Sequence, residues 1–322
     1  MVGESLVVTL AQVLEMHHTW ADGVEGGVRA DFSKATLDGV DFRKADLRRA
    51  VFRSASMRAA HLEGADLSGA VLVESDLQGA YLMDTDLTGA EVRNAVLANA
   101  DLTKALLNDI SAGETSFLEA NLSGARLVGA RLNKCDFSKA VMKMAVLKHA
   151  RIFECDFTEA DLENAMLNHA RARLCKFKDV RATEGDFSYS TMEMSDFAQA
   201  QLLATKFVGA AVDSTSFYHA AMQNANLRES KLRRAVFTSA VLEGARFGDA
   251  SIAGADLRGA NLKGARELTS YQLCQARTGR DTILPNGMQG VYLKGSGAER
   301  PVPPTCAHSL RAGLRRDAVD LA

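Results

Sequence analysis

The chain has 322 residues, 38 basic and 40 acidic side chains, and a formal net charge of −2. So even a balance predicts neither strong attraction to nucleic acid nor imitation of it. No apolar run approaches the roughly 18 residues that a membrane span needs, so no membrane is expected as a partner.

The first 29 residues read as a lid. Leu6, Leu10, Val13, Leu14 and Trp20 recur at helical spacing, which predicts a helix over residues 5–20 capped by Ser5. No basic region or small-residue cleavage site accompanies this stretch, so no signal peptide is expected. The Gly-rich segment Asp22 to Gly27 leads out of it.

From residue 30 to residue 265 the chain repeats every five residues. Stepping from Phe32 through Leu37, Phe42 and Leu47 to Leu262 gives 47 positions, all Leu, Phe, Met, Ile or Val except Ala112, Ala172 and Ala182. Two residues earlier stands a small side chain, usually Ala, and between the two often Asp or Asn. A period of five matches neither a helix nor a simple strand. Within a unit, however, the small and large residues are two apart and share one side of a short extended segment. So short a unit buries its apolar pair only by stacking on its neighbours, which is the logic of a solenoid.

A second period sets the number of sides. Phe117, Phe137, Phe157, Phe177, Phe197, Phe217 and Phe237 are 20 apart, and so are Cys135, Cys155 and Cys175, flanked in their column by Thr115, Ser195 and Thr215. Four units per coil would place each set in one vertical column. With about 4.8 Å between coils, 47 units give nearly 12 coils and a rod of about 55 Å. Ala112 and Ala182 are compensated by Ile110 and Val180 two residues earlier, a volume-conserving exchange. Ala172 lacks such a partner, which predicts a gap, or an inward Leu174, and the least regular coil between Arg171 and Gly185.

Units such as Ala65-Asp66-Leu67-Ser68-Gly69 and Ala255-Asp256-Leu257-Arg258-Gly259 resemble the pentapeptide-repeat family, A-(D/N)-L-x-x. The resemblance covers about three quarters of the chain and implies an all-β solenoid, a right-handed quadrilateral β-helix with short helical caps. It is a fold with many biological roles.

Beyond the repeats, Thr269-Ser270-Tyr271-Gln272 has the form of a capping box and predicts a helix over 269–278. Similar lids, followed by a stretch like Thr282-Ile283-Leu284-Pro285-Asn286-Gly287, occur in the resembled family. Residues 266–287 thus form a C-terminal cap. Residues 288–322, with Gly295, Gly297, Pro301, Pro303 and Pro304, read as a flexible tail, with a short terminal helix over Ser309 to Leu321 as one alternative and disorder as the other.

No residue set spells out catalysis. The Asp of each unit recurs at one backbone position, as in Asp46, Asp66 and Asp86, which suits local turn amides better than a unique active-site constellation. The Cys column lacks the mixed spacings with which metal ligands converge, and reads as small core residues. His149 and His169, 20 apart on outward positions, read as a surface pair. No metal, cofactor or enzymatic activity is expected, and five Cys with three inward fit reduced thiols in a bacterial cytoplasm.

Surfaces remain. Arg43, Lys44, Arg48, Arg49, Arg53 and Arg58 wrap the first coils, and Arg131, Arg151 and Arg171 form a column with Arg173, Lys148, His149 and His169 nearby. Outward apolar residues include Tyr81, Met83, Val141, Met144, Val146, Phe153, Leu203 and Val208. The candidate partner-binding residues are Arg43, Arg48, Arg53, Arg58, Arg131, Arg151, Arg171, Arg173 and Phe153. They point to a non-catalytic scaffold that docks protein partners or a second copy of itself. The alternative comes from the resemblance, whose fluoroquinolone-resistance members mimic DNA with an acidic rod and bind gyrase. This rod departs from them in its charge balance and its Arg columns.

Overall fold

Residues 9–302 are described by a computed structural model. The N-terminal helix, α1, spans Leu10–Ala21 and starts five residues later than the periodicity suggests. The residue that caps it is Thr9: its hydroxyl accepts the Gln12 N–H at 3.3 Å while the Gln12 side chain accepts the Thr9 N–H at 2.9 Å. Such a box stabilises a helix by about 1 kcal/mol. Ser5 and Leu6 lie outside the described residues.

After α1 the chain coils with a constant offset of twenty. One coil shows the rule: Asp31 bridges Val51, Thr36 bridges Ser56, Asp41 bridges His61 and Asp46 bridges Asp66, all parallel. These four bridges define four walls, centred on the columns that begin at Phe32, Phe42 and, between and after them, Leu37 and Leu47. We number them in chain order, so that the first wall carries Phe32, Phe52, Leu72 and so on. The same offset continues to Arg246 and Arg266.

Each corner is built from local chemistry. The Ala35 N–H donates to the Phe32 carbonyl at 3.0 Å, closing a tight turn whose third residue, Lys34, has φ 62°. That left-handed conformation costs a residue with a Cβ about 1–2 kcal/mol, which explains the Gly, Asn and Asp residues enriched there. The recurrent carboxylate helps: Asp66, Asp86 and Asp136 each accept the N–H two residues on, at 2.9, 2.8 and 2.9 Å. The repeated Asp is therefore a turn former.

Inside, every residue at the large and small positions between Phe42 and Leu262 is removed from water, apart from the half-buried Ala45. The second-wall phenylalanines stack face to face, with centroids 4.5–5.4 Å apart from Phe117 to Phe237. The gap expected near Ala172 is not filled by Leu174, which stays 42 % exposed. The coil keeps its register, because Arg171, Lys176 and Arg181 retain their bridges to the residues twenty further on, but its turn after Ala172 stays open, a departure it shares with three earlier coils. Backbone hydrogen bonds hold the register there whatever the side-chain volume.

Both ends are covered. At the start, Leu10, Val13 and Leu14 rest on the core, and Gly27 passes so close beneath the helix that a Cβ would lie 2.2 Å from the Trp20 nitrogen. At the far end the ladder persists with a longer spacing, Asp256 to Arg277 and Asn261 to Ile283, because α2, Ser270–Gln275, is inserted between. Its Gln272 donates to the carbonyls of Phe247 and Ala250, at 3.0 and 2.9 Å; the first also closes its own turn to the Ala250 N–H, and the second receives no backbone N–H from a further coil. The stretch read as a loose tail packs at first: Tyr292 is 8 % exposed, Ala298 is buried, and the Asn286 N–H donates to the Ala298 carbonyl. The helix considered for Ser309 to Leu321 lies outside the described residues.

Candidate functional site

The first basic set does not form a patch. Arg43, Arg48, Arg53 and Arg58 stand on the third, fourth, first and second walls, one each, because they are five apart in a coil of twenty. Three of them are also neutralised. Arg43 forks onto Asp41 at 2.9 and 2.5 Å, Arg48 joins Asp46 and Asp22, both at 2.6 Å, and Arg58 meets Asp76 at 2.6 Å. The guanidinium of Arg43 holds the Asp41 carboxyl far below the ordinary range. Arg53 is exposed and makes no ion pair among the described residues. His18, Asp22 and Asp46 come together as well. Arg48 already occupies both carboxylates, so the group is an ion-pair clasp between helix and coil.

The second set does come together, on the first wall. Here the corner changes character. After Ala112, Leu132, Ile152 and Ala172 no turn-closing hydrogen bond forms. The chain stays extended for three residues and yields the only named strands among the described residues: β1 Ser111–Gly113, β2 Arg131–Asn133, β3 Arg151–Phe153 and β4 Arg171–Arg173. They form one parallel sheet in strict register, Ser111-Arg131-Arg151-Arg171 on one line and Gly113-Asn133-Phe153-Arg173 on the other.

The Cys column lies directly behind this sheet. The Cys135 N–H, free of its turn bond, donates to the Cys155 sulfur at 3.4 Å, and the Cys175 N–H donates to the Ser195 hydroxyl at 3.3 Å. The sulfurs themselves reach carbonyls of the sheet strands, Cys135 to Asn133 and Cys175 to Arg173. Side-chain atoms thus take over amides that the opened turns release. The hydrogen bond with Cys135 and burial push the Cys155 thiol up, and burial raises Cys175 to about 11. Both stay protonated at neutral pH.

Outside, the two lines of side chains wall a groove of about 430 Å³. Arg131, Arg151 and Arg171 form one wall. Arg93, Asn133, Phe153 and Arg173 form the other, with a gap at Gly113. Ala112, Leu132 and Ile152 lie at its floor. No carboxylate of the described residues pairs with Arg131, Arg151 or Arg171, whereas Arg173 stands 4.0 Å from Glu193 and Arg93 3.3 Å from Glu91. At about 4.8 Å per rung each neighbouring pair of guanidinium groups repels by roughly 1 kcal/mol even in water.

A second concavity of about 440 Å³ adjoins the Arg wall and is lined by His149, His169, Tyr189, Arg151, Arg171 and Thr191. His149 and His169 stack at 5.2 Å and His169 on Tyr189 at 5.3 Å. Tyr189 folds over Gly209, where a Cβ would come within 2.7 Å of its ring. Arg93, Gly113, Asn133 and Tyr189 were not singled out by the sequence reading, although they keep the same twenty-residue step. Their columns are chemically mixed, so no single residue type marks them. The other apolar candidates stand on other walls: Tyr81, Met83, Val141, Met144 and Leu203 are exposed, while Val146 and Val208 are half-buried.

The repeat register has a counterpart among known families. The family described as Pentapeptide repeats matches repeatedly, over 28–64, 50–89, 80–109, 115–152, 155–193, 195–234 and 230–266. This chain belongs to the pentapeptide-repeat family. Membership makes the solenoid a right-handed β-helix. Among solved structures the chain is similar to HetL, a pentapeptide repeat protein involved in heterocyst differentiation regulation from Nostoc sp. strain PCC 7120. That match has 23 % identity, a TM-score of 0.41, and covers 85 % of this chain and 98 % of the other. It is also similar to a trypsin-treated form of QnrB1, a plasmid-mediated fluoroquinolone resistance protein, at 14 % identity and TM-score 0.38 over 62 % and 89 % of the two chains. A pentapeptide repeat protein of the Arabidopsis thaliana thylakoid lumen aligns at 28 % identity and TM-score 0.19 over 33 % and 81 %. At these values the likeness speaks to neither partner nor process. No curated protein matches the chain significantly. No helix of the described residues is long and apolar enough to cross a membrane.

Proposed function

We propose that this pentapeptide-repeat protein is a non-catalytic scaffold of the bacterial cytoplasm that docks protein partners on the first wall of its rod. One observation carries the reading: three guanidinium groups with no carboxylate partner among the described residues stand in register beside an exposed Phe153, on a sheet locked by hydrogen bonds above and below. A rigid platform with uncompensated charge and an aromatic anchor is the anatomy of a recognition surface. Neither cofactor nor metal enters this reading. Photo-crosslinking in the native cell tests it, with a photoreactive residue placed at Asn133 in the groove and, for comparison, at Gln223 on the third wall. Adducts to a discrete protein from Asn133 and not from Gln223 are expected. Equal labelling from both, or none, removes the proposal. The DNA-mimic alternative gains nothing from this wall, whose charge has the wrong sign for a duplex. Self-association is the second part of the proposal: Tyr271, Met288, Val291 and Leu293, all of the C-terminal cap, are each exposed, and apolar side chains presented to water suit a contact with a second copy.

A further inference from the structure

The groove on the first wall also has a chemistry of its own, and resting on the scaffold reading above, we infer that it binds an extended acidic peptide segment of the partner. The charge argument is local. Arg181, Arg233 and Arg258 each meet a carboxylate of their own or a neighbouring coil, at 2.7, 3.0 and 2.5 Å. Arg131, Arg151 and Arg171 have none among the described residues, although the strand register brings them into line. Their mutual repulsion is relieved by an anion laid along the column, and guanidinium groups take carboxylates in a two-pronged fork.

Shape narrows the class. The walls are two residues apart, which is about 7 Å, and the three Arg rungs together span about 10 Å. That is the footprint of three or four residues of extended peptide. Successive side chains of such a segment point to opposite walls. Carboxylates would therefore face the Arg line while alternate apolar side chains enter the gap at Gly113 and lie against Phe153. The sheet itself offers no free edge, since its outer strands β1 and β4 are bridged in turn to Glu91 and Thr191 of the adjoining coils, so the peptide is held by side chains rather than by strand addition.

Nucleic acid fits less well. Binding a run of bases needs a succession of free aromatic faces, but Phe153 is the single aromatic among the residues that line the groove, and in the adjoining concavity both faces of His169 are covered by His149 and Tyr189. A chain of net charge −2 also lacks the long-range pull on a polyanion.

Fluorescence anisotropy on the full-length protein tests the assignment. The probes are a dye-labelled peptide of about twelve residues alternating Glu and Leu, long enough to cross the groove, the same peptide with Gln for Glu, and a thymidine oligonucleotide of equal length. Saturable binding of the Glu peptide alone is expected. Arg151→Glu weakens it at least about tenfold. Gly113→Leu, which plugs the gap without touching charge and whose Cβ meets nothing closer than 3.7 Å, weakens it to a similar degree. Arg258→Gln, on the second wall, leaves it unchanged, and thermal melts establish that all variants are folded. Absence of saturable binding, equal binding of the Gln peptide, indifference to Gly113→Leu, or tighter binding of the oligonucleotide overturns the assignment. Crosslinked partners at Asn133 without peptide binding would sink this inference and leave the scaffold standing. Peptide binding without any crosslinked partner would do the reverse.

Discussion

At the scale of single residues, stability rests on repetition of a few contacts that are each ordinary. Phe157 lies between Phe137 and Phe177, at 4.9 and 4.8 Å, fully buried and with no solvent to fill a vacancy. Phe157→Ala is expected to destabilise the rod by about 3–5 kcal/mol, and Phe157→Leu by much less, as read by urea denaturation. Residues of the Cys column are equally enclosed. A thiol reagent applied to the native protein is expected to modify the exposed Cys274, while Cys135, Cys155 and Cys175 react only after unfolding. Mass mapping of modified peptides decides this. Rapid native labelling of Cys155 would show that the sheet in front of it opens.

Single elements behave differently according to where they stand. The N-terminal helix carries two histidines of opposite sign. His17 is buried and its Nδ1 accepts the Ala30 N–H at 3.0 Å, so only the neutral ring fits, and burial lowers its pKa below 6.5. Its contribution is complete above the unfolded value near 6.5 and fades as pH falls below it. His18 is exposed, and its hydrogen bond with Asp46 raises its pKa, so its contribution is complete below 6.5 and fades as pH rises. The buried group should prevail because its protonation also breaks a backbone hydrogen bond. Trp20, the chain's single tryptophan, stacks on His17 at 5.5 Å and reports the event. Its emission is expected to change as pH falls from about 7 to about 5, and His17→Phe should abolish that change. The helices themselves were largely legible in sequence, since capping boxes are short-range signals. The start of α1 was misplaced because Ser5 and Thr9 are both plausible caps, and only the box with Gln12 separates them. By contrast β1 to β4 were invisible, because their strands share the repeat of every other unit and differ only in unclosed turns. The Arg column was legible by counting. Its distinction from the first basic set was not, because neutralisation by Asp22, Asp41 and Asp76 depends on side-chain placement.

For the whole molecule, the period of five and the column spacing of twenty told the architecture, since no other arrangement buries so regular a pair. The C-terminal stretch misled, because its Gly and Pro content resembles a linker although Tyr292 anchors it. Its hydroxyl donates to Ser270 at 2.7 Å. Cutting after Asn286 would therefore strip the cap as well as the tail. A chain ending at Val302 keeps the cap, and together with Tyr271→Ser and Leu293→Ser it tests self-association. Light scattering is expected to give a dimer for the full chain and for the chain ending at Val302, and a monomer for the doubly substituted form. A monomeric full chain would end that part of the proposal.

The unvarying bridge between a residue and the one twenty further on has a consequence for how such a chain can change length. Excising one full turn, for instance residues 62–81, shortens the tower yet leaves every column in phase. Excising a single unit within the groove, such as 136–140, twists everything downstream by a quarter turn. Arg131 would then meet Asp156, brought round from the second wall, where Arg151 had stood. The cradle for an anion would vanish although scarcely any core volume had been lost.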